Sequence, residues 1–377
     1  MRCQTPYEVR CLAPQKDDIH GAWLRKKTIH TVLGSADTQP TERVILIKLK
    51  YHITNETNPY KNLALEEYLL LNVADDECIL YLWQNENTVV IGRNQNPWRE
   101  CKVRELEDAG GRLVRRLSGG GAVYHDMGNL NFTFLVTKNN YNVDKQLEVI
   151  IRAVNNIGIP AMKSGRNDIT VEGKKFSGNA FYSIGDKCYH HGTILVNVDM
   201  PSLSKYLNVS RAKLKSKGVE SVKSRVVNLT EYVPDLTIAG LRDELIKAFG
   251  EVYGSKATLI EEAQLPEAEL IAGYEKFSSW EWIYGRKIEF SDSFECRFDW
   301  GDIELQLLVE GGLIKDCQVY SDALDTELFQ IISACLMGCA FVAKSMEEAL
   351  KSAFVKLEPD ENKRKMMEDI SQWIATI

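Results

Sequence analysis

The sequence predicts an α+β protein in two folded parts, a mixed-sheet domain over residues 47–286 and a small α+β domain over 292–377. Three observations carry this reading. From residue 47 onward short β-rich runs alternate with segments of helical periodicity; after 292 three strand-like runs precede three helical ones; and 377 residues suffice for two cores. Composition agrees, with 44% hydrophobic and 26% charged residues, the balance of a soluble globular chain. No apolar run reaches the length of a membrane span, and a formal net charge of -7 argues against broad attraction to nucleic acid or anionic membrane.

The elements follow in order. Residues 1–46 carry three prolines, mixed charge and little periodicity, and are read as an extension of unknown role. Arg2, Arg10, Arg25, Lys26 and Lys27 suggest a transit peptide, but Glu8, Asp17, Asp18, Asp37 and Glu42 make the segment too acidic for one. A cytoplasmic rather than mitochondrial location is therefore expected, and nine scattered cysteines without CxxC spacing fit a reducing compartment with neither disulfide framework nor zinc site. The mixed-sheet domain begins with a strand over 47–51, then an amphipathic helix over 62–71, strands over 79–83 and 88–92, and a helix over 98–109. A strand-like entry over 113–116 leads into a glycine run, and the β pattern resumes over 131–136. A helix over 145–156 precedes strands over 168–171 and 175–181, which flank the turn Glu172-Gly173-Lys174, and a strand over 187–196. Helices and loops fill 202–275, and the aromatic segment 278–286 reads as a linker that docks on the first domain. The small domain has strands over 294–299, 303–309 and 313–319, then helices over 325–337, 345–355 and 361–375.

The most informative stretch is Arg115-Arg116-Leu117-Ser118-Gly119-Gly120-Gly121-Ala122-Val123-Tyr124-His125-Asp126. Three glycines leave backbone N–H groups bare, and glycine accepts the positive φ angles that a concave nest of donors needs, so this loop can cradle a phosphate. An ordinary turn is the alternative. Neither GxxxxGK[ST] nor GxGxxG is present, so a nucleotide would be held by some other arrangement.

Three further groups are candidates. Lys175 follows a tight turn, strand alternation puts it opposite Phe176, and Asp168 lies on the paired strand, so an ammonium and a carboxylate can converge there. In His190-His191-Gly192-Thr193 the adjacent histidines face opposite sides of a strand and cannot share a metal, which favours hydrogen-bonding or packing roles. A Ser-His-Asp set from Ser118, His125 and Asp126 is a minor reading, because no GxSxG elbow surrounds the serine. Residues 208–225 carry six basic residues against one acidic, which suits either a solvated helix face or a lid that helps capture a polyphosphate.

Taken together, these motifs resemble the lipoate-protein ligase A family of the bacterial two-domain type, from about residue 47 to the end. The resemblance rests on Asn62-Leu63-Ala64-Leu65-Glu66-Glu67, the run from Val90 to Trp98, the glycine motif through Asn129, Gly165-Arg166-Asn167-Asp168, Lys175-Phe176-Ser177-Gly178-Asn179-Ala180, His190-His191-Gly192-Thr193, the run from Ser221 to Leu229, and Ser279-Trp280-Glu281-Trp282. It implies a catalytic domain of the biotin/lipoate ligase type with a small accessory domain, and an AMP-forming reaction. ATP and Mg2+ would activate lipoate as lipoyl-AMP, and a lysine of an apo lipoyl domain would then take the acyl group. The implied acceptors are the lipoyl domains of 2-oxoacid dehydrogenase complexes and the glycine cleavage H protein. By motif position, Arg116, Gly119, Gly120, Gly121, Ala122, Val123, Tyr124 and Lys175 would bind ATP. Leu63, Trp83, Val90, Val114, His125, Lys175 and His191 would bind lipoate, Lys175 and Asp168 would be catalytic, Asp168 would serve any metal, and Lys223, Arg225 and Asn228 would belong to an adenylate-covering loop. Shorter relatives without the accessory domain need a separate partner to activate lipoate. The chain is expected to act as a monomer.

Other enzymes of the superfamily transfer lipoyl or octanoyl groups without ATP through a cysteine nucleophile. No cysteine occurs between Cys101 and Cys188, which leaves Cys188 as the one weak candidate near Lys175. A transferase that accepts preformed lipoyl-AMP, and a silent lipoate-binding module, are the remaining alternatives; the glycine motif differs from the GRGRxxR pattern of biotin ligases.

Overall fold

The structure, a computed structural model, describes residues 47–165, 168–208, 226–285 and 288–377. Its main sheet has eight strands: β1 (Lys48–Ile53), β2 (Glu77–Trp83), β6 (Asn129–Thr137), β7 (Ala161–Ser164), β8 (Asp168–Val171), β9 (Lys174–Ile184), β10 (Lys187–Leu195) and β11 (Thr258–Leu259). Their order across the sheet is β11-β1-β2-β6-β10-β9-β8-β7. β1 runs parallel to β2 and β11, and the remaining pairs are antiparallel, so the sheet is mixed.

The two-residue period of the strands builds one core on each face. In β2, Cys78, Leu80 and Leu82 join Phe132 and Phe134 of β6 under helices α4 (Val143–Asn156) and α6 (Ile238–Tyr253). Ile79, Tyr81 and Trp83 face the opposite way, toward α1 (Pro59–Asn72) and Phe277 of α7 (Glu267–Ser278). The same alternation puts Asn129, Asn131 and Thr133 of β6 on that second face, where all three are buried. Polar residues at three successive positions of a buried face mark where the apolar packing gives way to a site.

A second sheet, ordered β4-β3-β5, joins β3 (Thr88–Ile91) in parallel to β4 (Arg112–Arg115) and antiparallel to β5 (Val123–His125). The glycine run thus links β4 to β5, a strand the sequence reading did not resolve. The single helix expected over 98–109 is also divided, into α2 (Pro97–Glu100) and α3 (Val103–Asp108). Cys101 is extended and bridges Leu207, and Lys102 N–H donates to the Tyr206 carbonyl at the end of α5 (Met200–Tyr206), so tertiary pairing outweighs local helical periodicity there.

The C-terminal part has its own antiparallel sheet, β12 (Asp292–Phe298), β13 (Gly301–Glu310) and β14 (Leu313–Ser321), and its own core with α9 (Leu328–Leu336), α10 (Ala343–Phe354) and α11 (Glu361–Ile374). The aromatic segment forms α8 (Trp280–Tyr284) and packs on β4: Trp282 Nε1 donates to the Arg115 carbonyl at 2.8 Å. Among the described residues no helix is long and apolar enough to cross a membrane.

Candidate active site

A cavity of about 290 Å³ opens between the two sheets. Leu63, Trp83 and Val90 form its apolar part, while Gly120, Gly121, Val123 and Tyr124 of the glycine loop, Arg116, Lys175 and Leu324 form the remainder of the wall used below. A larger, open depression of about 740 Å³ lies outside Tyr124 among Glu86, Asp126 and Asp199, but contains neither Lys175 nor the glycine run, so the smaller, more enclosed space is the candidate site.

The glycine loop is held from behind by one side chain. The Arg116 Nη2 donates to the carbonyls of Gly119 (2.7 Å) and Gly121 (2.9 Å), Nη1 to that of Val90 (3.2 Å), and Nε to Ser118 Oγ (3.0 Å). Turning these carbonyls toward the guanidinium keeps them out of the cavity. Gly120 has φ +92°, which L side chains rarely adopt, and a β-carbon on Gly119 would lie 2.4 Å from the Ala323 carbonyl oxygen. Gly120 N–H itself donates to that carbonyl at 2.9 Å, so the loop shares a backbone hydrogen bond with the segment that follows β14. Burial pushes the Arg116 guanidinium down to about 10, still charged at neutral pH.

Lys175 stands at the start of β9 with Phe176 in the core beneath the sheet. Its Nζ is 2.7 Å from Asp168 Oδ1, and both side chains are 37% exposed, so the ammonium remains within reach of a ligand. A β-carbon on Gly178 would meet Lys175 Nζ at 2.9 Å, and its absence gives the lysine room over the strand. Val227 N–H donates to the Lys175 carbonyl, which brings the following Asn228 close; its side chain bonds both N–H and carbonyl of Val198 and caps the next turn. Lys223 and Arg225 lie outside the described residues.

Behind the cavity runs a buried polar chain: Arg116 Nε to Ser118 Oγ, Ser118 Oγ to His191 Nε2 (2.7 Å), and His191 Nδ1 to Glu66 Oε1 (2.8 Å), which also accepts from Thr133 Oγ1 (2.7 Å). The Glu66 carboxylate accepts from His191 Nδ1–H, and Nε2 faces the Ser118 hydroxyl, which also accepts from Arg116. Ser118 is fully buried and does not line the cavity, so it is no nucleophile. The alternative set of Ser118, His125 and Asp126 does not assemble. Asp126 instead accepts the N–H groups of Gly128 and Asp199, and His125 Nδ1 faces Asn85 Nδ2 at 3.2 Å. That contact leaves the His125 Nε2 proton at the cavity wall without a partner among the described residues, as are Asn129 Oδ1 and Asn131 Nδ2. Buried, unpaired polar atoms on a cavity wall are groups that a ligand can satisfy.

Of the residues the resemblance singles out, Leu63, Trp83, Val90, Arg116, Gly120, Gly121, Val123, Tyr124, His125, Lys175 and His191 line this one cavity. Val114 is fully buried in the core that backs Val90, and Gly119 faces the Ala323 and Leu324 backbone just after β14. Glu66, Asn129 and Asn131 lie outside the site residues that the resemblance implies; the alternation of asparagines along 129–131 is the sequence signal for two of them. As alternation requires, His190 and His191 face opposite sides, the former bonded to Gln146 and Asn179.

Burial pushes both His125 and His190 down to about 3 from 6.5, with the charge of Arg116 adding at His125. Below pH 6.5 the unfolded chain takes up protons that the folded one refuses, so folding stability falls as pH drops from about 6.5 toward 3. Two such rings give a slope of up to about 2.7 kcal/mol per pH unit. Urea midpoints that stay flat between about pH 6.5 and 4.5 would contradict this assignment, and His190→Gln should remove part of the slope.

Residues 58–250 match the model of the lipoyl protein ligase A/B catalytic domain, and residues 287–374 match that of the bacterial lipoate protein ligase C-terminus. A lipoate-protein ligase A of Psychrobacter cryohalolentis is 40% identical over 337 residues, 87% of this chain and 98% of that protein. Among solved structures, Plasmodium falciparum LipL1 in complex with lipoate superimposes with TM-score 0.75 at 32% identity, over 87% of this chain and 99% of the other. The bipartite lipoate protein ligase of Thermoplasma acidophilum, studied with its E2 lipoyl domain, gives TM-score 0.57 at 26% identity over 65% and 100% of the two chains. A lipoate-protein ligase A bound with ATP gives 0.56 at 26% over 63% and 99%. With both parts of the chain matched and the identity sustained over most of its length, this protein belongs to the lipoate-protein ligase A family.

Proposed function

We propose that the enzyme joins lipoate to protein in two AMP-forming steps: attack of the lipoate carboxylate on the α-phosphorus of ATP, releasing pyrophosphate, then attack of an acceptor lysine amine on the lipoyl carbonyl, releasing AMP. The observation that carries this reading is that Lys175, the glycine loop and an apolar recess of Leu63, Trp83 and Val90 line a single cavity. Negative charge develops on α-phosphate oxygens in the first step and on the carbonyl oxygen in the second. A fixed ammonium, with the loop N–H groups other than that of Gly120, which is bonded to Ala323, would stabilise both without reorganising. His125 Nε2–H and Asn131 Nδ2, which lack partners among the described residues, offer further donors to the polar end of the adenylate.

Asp168 would orient Lys175, as their 2.7 Å ion pair suggests, or hold Mg2+ against the phosphates. Among the described residues no three His, Cys, Asp or Glu side chains gather to bind a metal. Mg2+ makes a sparser demand, one or two carboxylates plus substrate phosphates, and Asp168 fits it; the ion would offset charge on the departing pyrophosphate. The 292–377 part is read as the accessory domain and the monomer as the working unit. Lipoyl domains of 2-oxoacid dehydrogenase complexes and the glycine cleavage H protein are the proposed acceptors, a reading supported by the E2 lipoyl domain studied with the Thermoplasma acidophilum relative.

The test is to incubate pure protein with ATP, Mg2+, lipoate and an apo lipoyl domain, and to weigh the acceptor. A lipoyl-sized mass gain is expected only with ATP present; a gain without ATP overturns the ligase chemistry in favour of direct transfer. Cys188 supplies an independent check. It is 1% exposed in the core below the sheet, with its sulfur near Ser183 Oγ, so Cys188→Ala is expected to keep full transfer activity and to lose only about 1 kcal/mol of stability.

A further inference from the structure

We infer that the seam between the mixed-sheet part and the small C-terminal part holds a second binding site, for a phosphate-type oxyanion. A cavity of about 360 Å³ lies there, lined by Arg93, Arg115 and Trp282 on one side and by Gln318 and Gln330 on the other. It is separate from the catalytic cavity. Arg115 and Arg116 are neighbours in sequence, and the strand period sends Arg115 into the seam while Arg116 backs the glycine loop.

The charge of this lining is what points to an anion. Arg115 is only 5% exposed. It spends Nε on the carbonyls of Trp282 and Ile283, and Nη1 on those of Gly92, Arg93 and Gln95, and its Nη2 makes no hydrogen bond among the described residues. The Arg93 guanidinium lies over the Trp282 ring at 4.2 Å. Among the described residues neither guanidinium is ion-paired with a carboxylate, and the one carboxylate of the lining, Glu281, is exposed. Burial first, and the charge of Arg93 second, lower Arg115 to about 10. Two like charges sharing a half-enclosed space with amide side chains form an arrangement that a tetrahedral dianion would stabilise, since it can accept from both guanidinium groups and from amide N–H groups at once.

Such an anion would tie the two parts of the chain together at the loop that matters for catalysis. Arg93 N–H donates to the Ser118 carbonyl at 2.9 Å, at the head of the glycine run, and Asn94, the next residue, accepts from Ser321 N–H of β14 at 2.9 Å. An occupant held by Arg93 and by Gln318 or Gln330 would therefore stiffen the joint between loop and C-terminal sheet.

The experiment is equilibrium binding of inorganic phosphate to the full chain, followed by 31P line broadening at constant ionic strength, with phenyl phosphate in a second arm to distinguish free phosphate from a phosphomonoester. Saturable binding is expected in the wild type, weakened about tenfold or more by Arg93→Gln, which removes a charged donor, and by Gln330→Glu, which adds an opposing carboxylate on an exposed position. Lys175→Ala should bind phosphate as the wild type does. Absence of saturable binding in the wild type overturns the proposal. So does binding lost in Lys175→Ala and retained in Arg93→Gln, which would place the anion in the catalytic cavity. Arg115 is left intact because its five carbonyl contacts make its replacement a folding defect, and melting curves of Arg93→Gln and Gln330→Glu establish that each remains folded.

Discussion

Replacing Lys175 by alanine is expected to lower the rate of lipoate activation by about 10²–10³-fold while leaving the thermal midpoint close to that of the wild type. The two halves of this expectation have separate grounds. Lys175 is partly exposed and its ion pair with Asp168 is screened by water, so its removal costs little stability. Its ammonium, by contrast, is the one lysine charge among the described residues of the cavity that also carries the glycine loop, and charge on phosphate and carbonyl oxygens builds where a side chain of this length can reach. Pyrophosphate release from ATP and lipoate measures the first step, and the acceptor's mass gain with chemically prepared lipoyl-AMP measures the second; both should fall. Adenylation at the wild-type rate in Lys175→Ala would remove the lysine from the mechanism. Arginine is not expected to rescue, because a planar fork cannot occupy the space that Gly178 leaves for a single ammonium.

The second large effect falls on stability. Glu66 is fully buried, accepts from His191 and Thr133 with one oxygen, and supplies negative charge near the buried Arg116 guanidinium. Glu66→Ala leaves an imidazole N–H and a hydroxyl without their acceptor and strips that charge from Arg116, a loss expected to cost about 3–5 kcal/mol and roughly 10 °C in melting temperature. Glu66→Gln keeps an acceptor oxygen at nearly the same place and should recover much of the stability. A melting temperature for Glu66→Ala within a degree or two of wild type would show that the polar chain behind the cavity does not hold the site. Because Arg116 bonds the Gly119 and Gly121 carbonyls, the alanine variant should also bind ATP more weakly at temperatures where it is folded.

How much of this was legible in the sequence depends on the distance over which each feature is determined. The glycine run, the Glu172-Gly173 turn and the Lys175–Asp168 pair are local, and turn chemistry with strand alternation was enough to bring them together. Glu66 and His191 are 125 residues apart, and nothing in the spacing of an amphipathic helix says that one of its carboxylates will point inward to an imidazole. The helix over 98–109 reads as continuous because its periodicity is; the break at Cys101 is imposed by Leu207, a residue no window of that size contains. Strand β5 is illegible in the sequence for a similar reason. Three residues are too few to show a period, and its partner β3 comes from a segment more than 30 positions earlier.

The opposed directions of Arg115 and Arg116 limit how this gene can vary in length. Adding or deleting one codon inside β4 would invert the side chains that follow along the strand and at Arg116 just after it, turning the guanidinium that braces the glycine loop toward the seam and its neighbour toward the cavity of Lys175. An exchange at Arg115 disturbs the seam alone; a single-residue insertion in β4 would disturb the seam and the cavity behind the glycine loop at once.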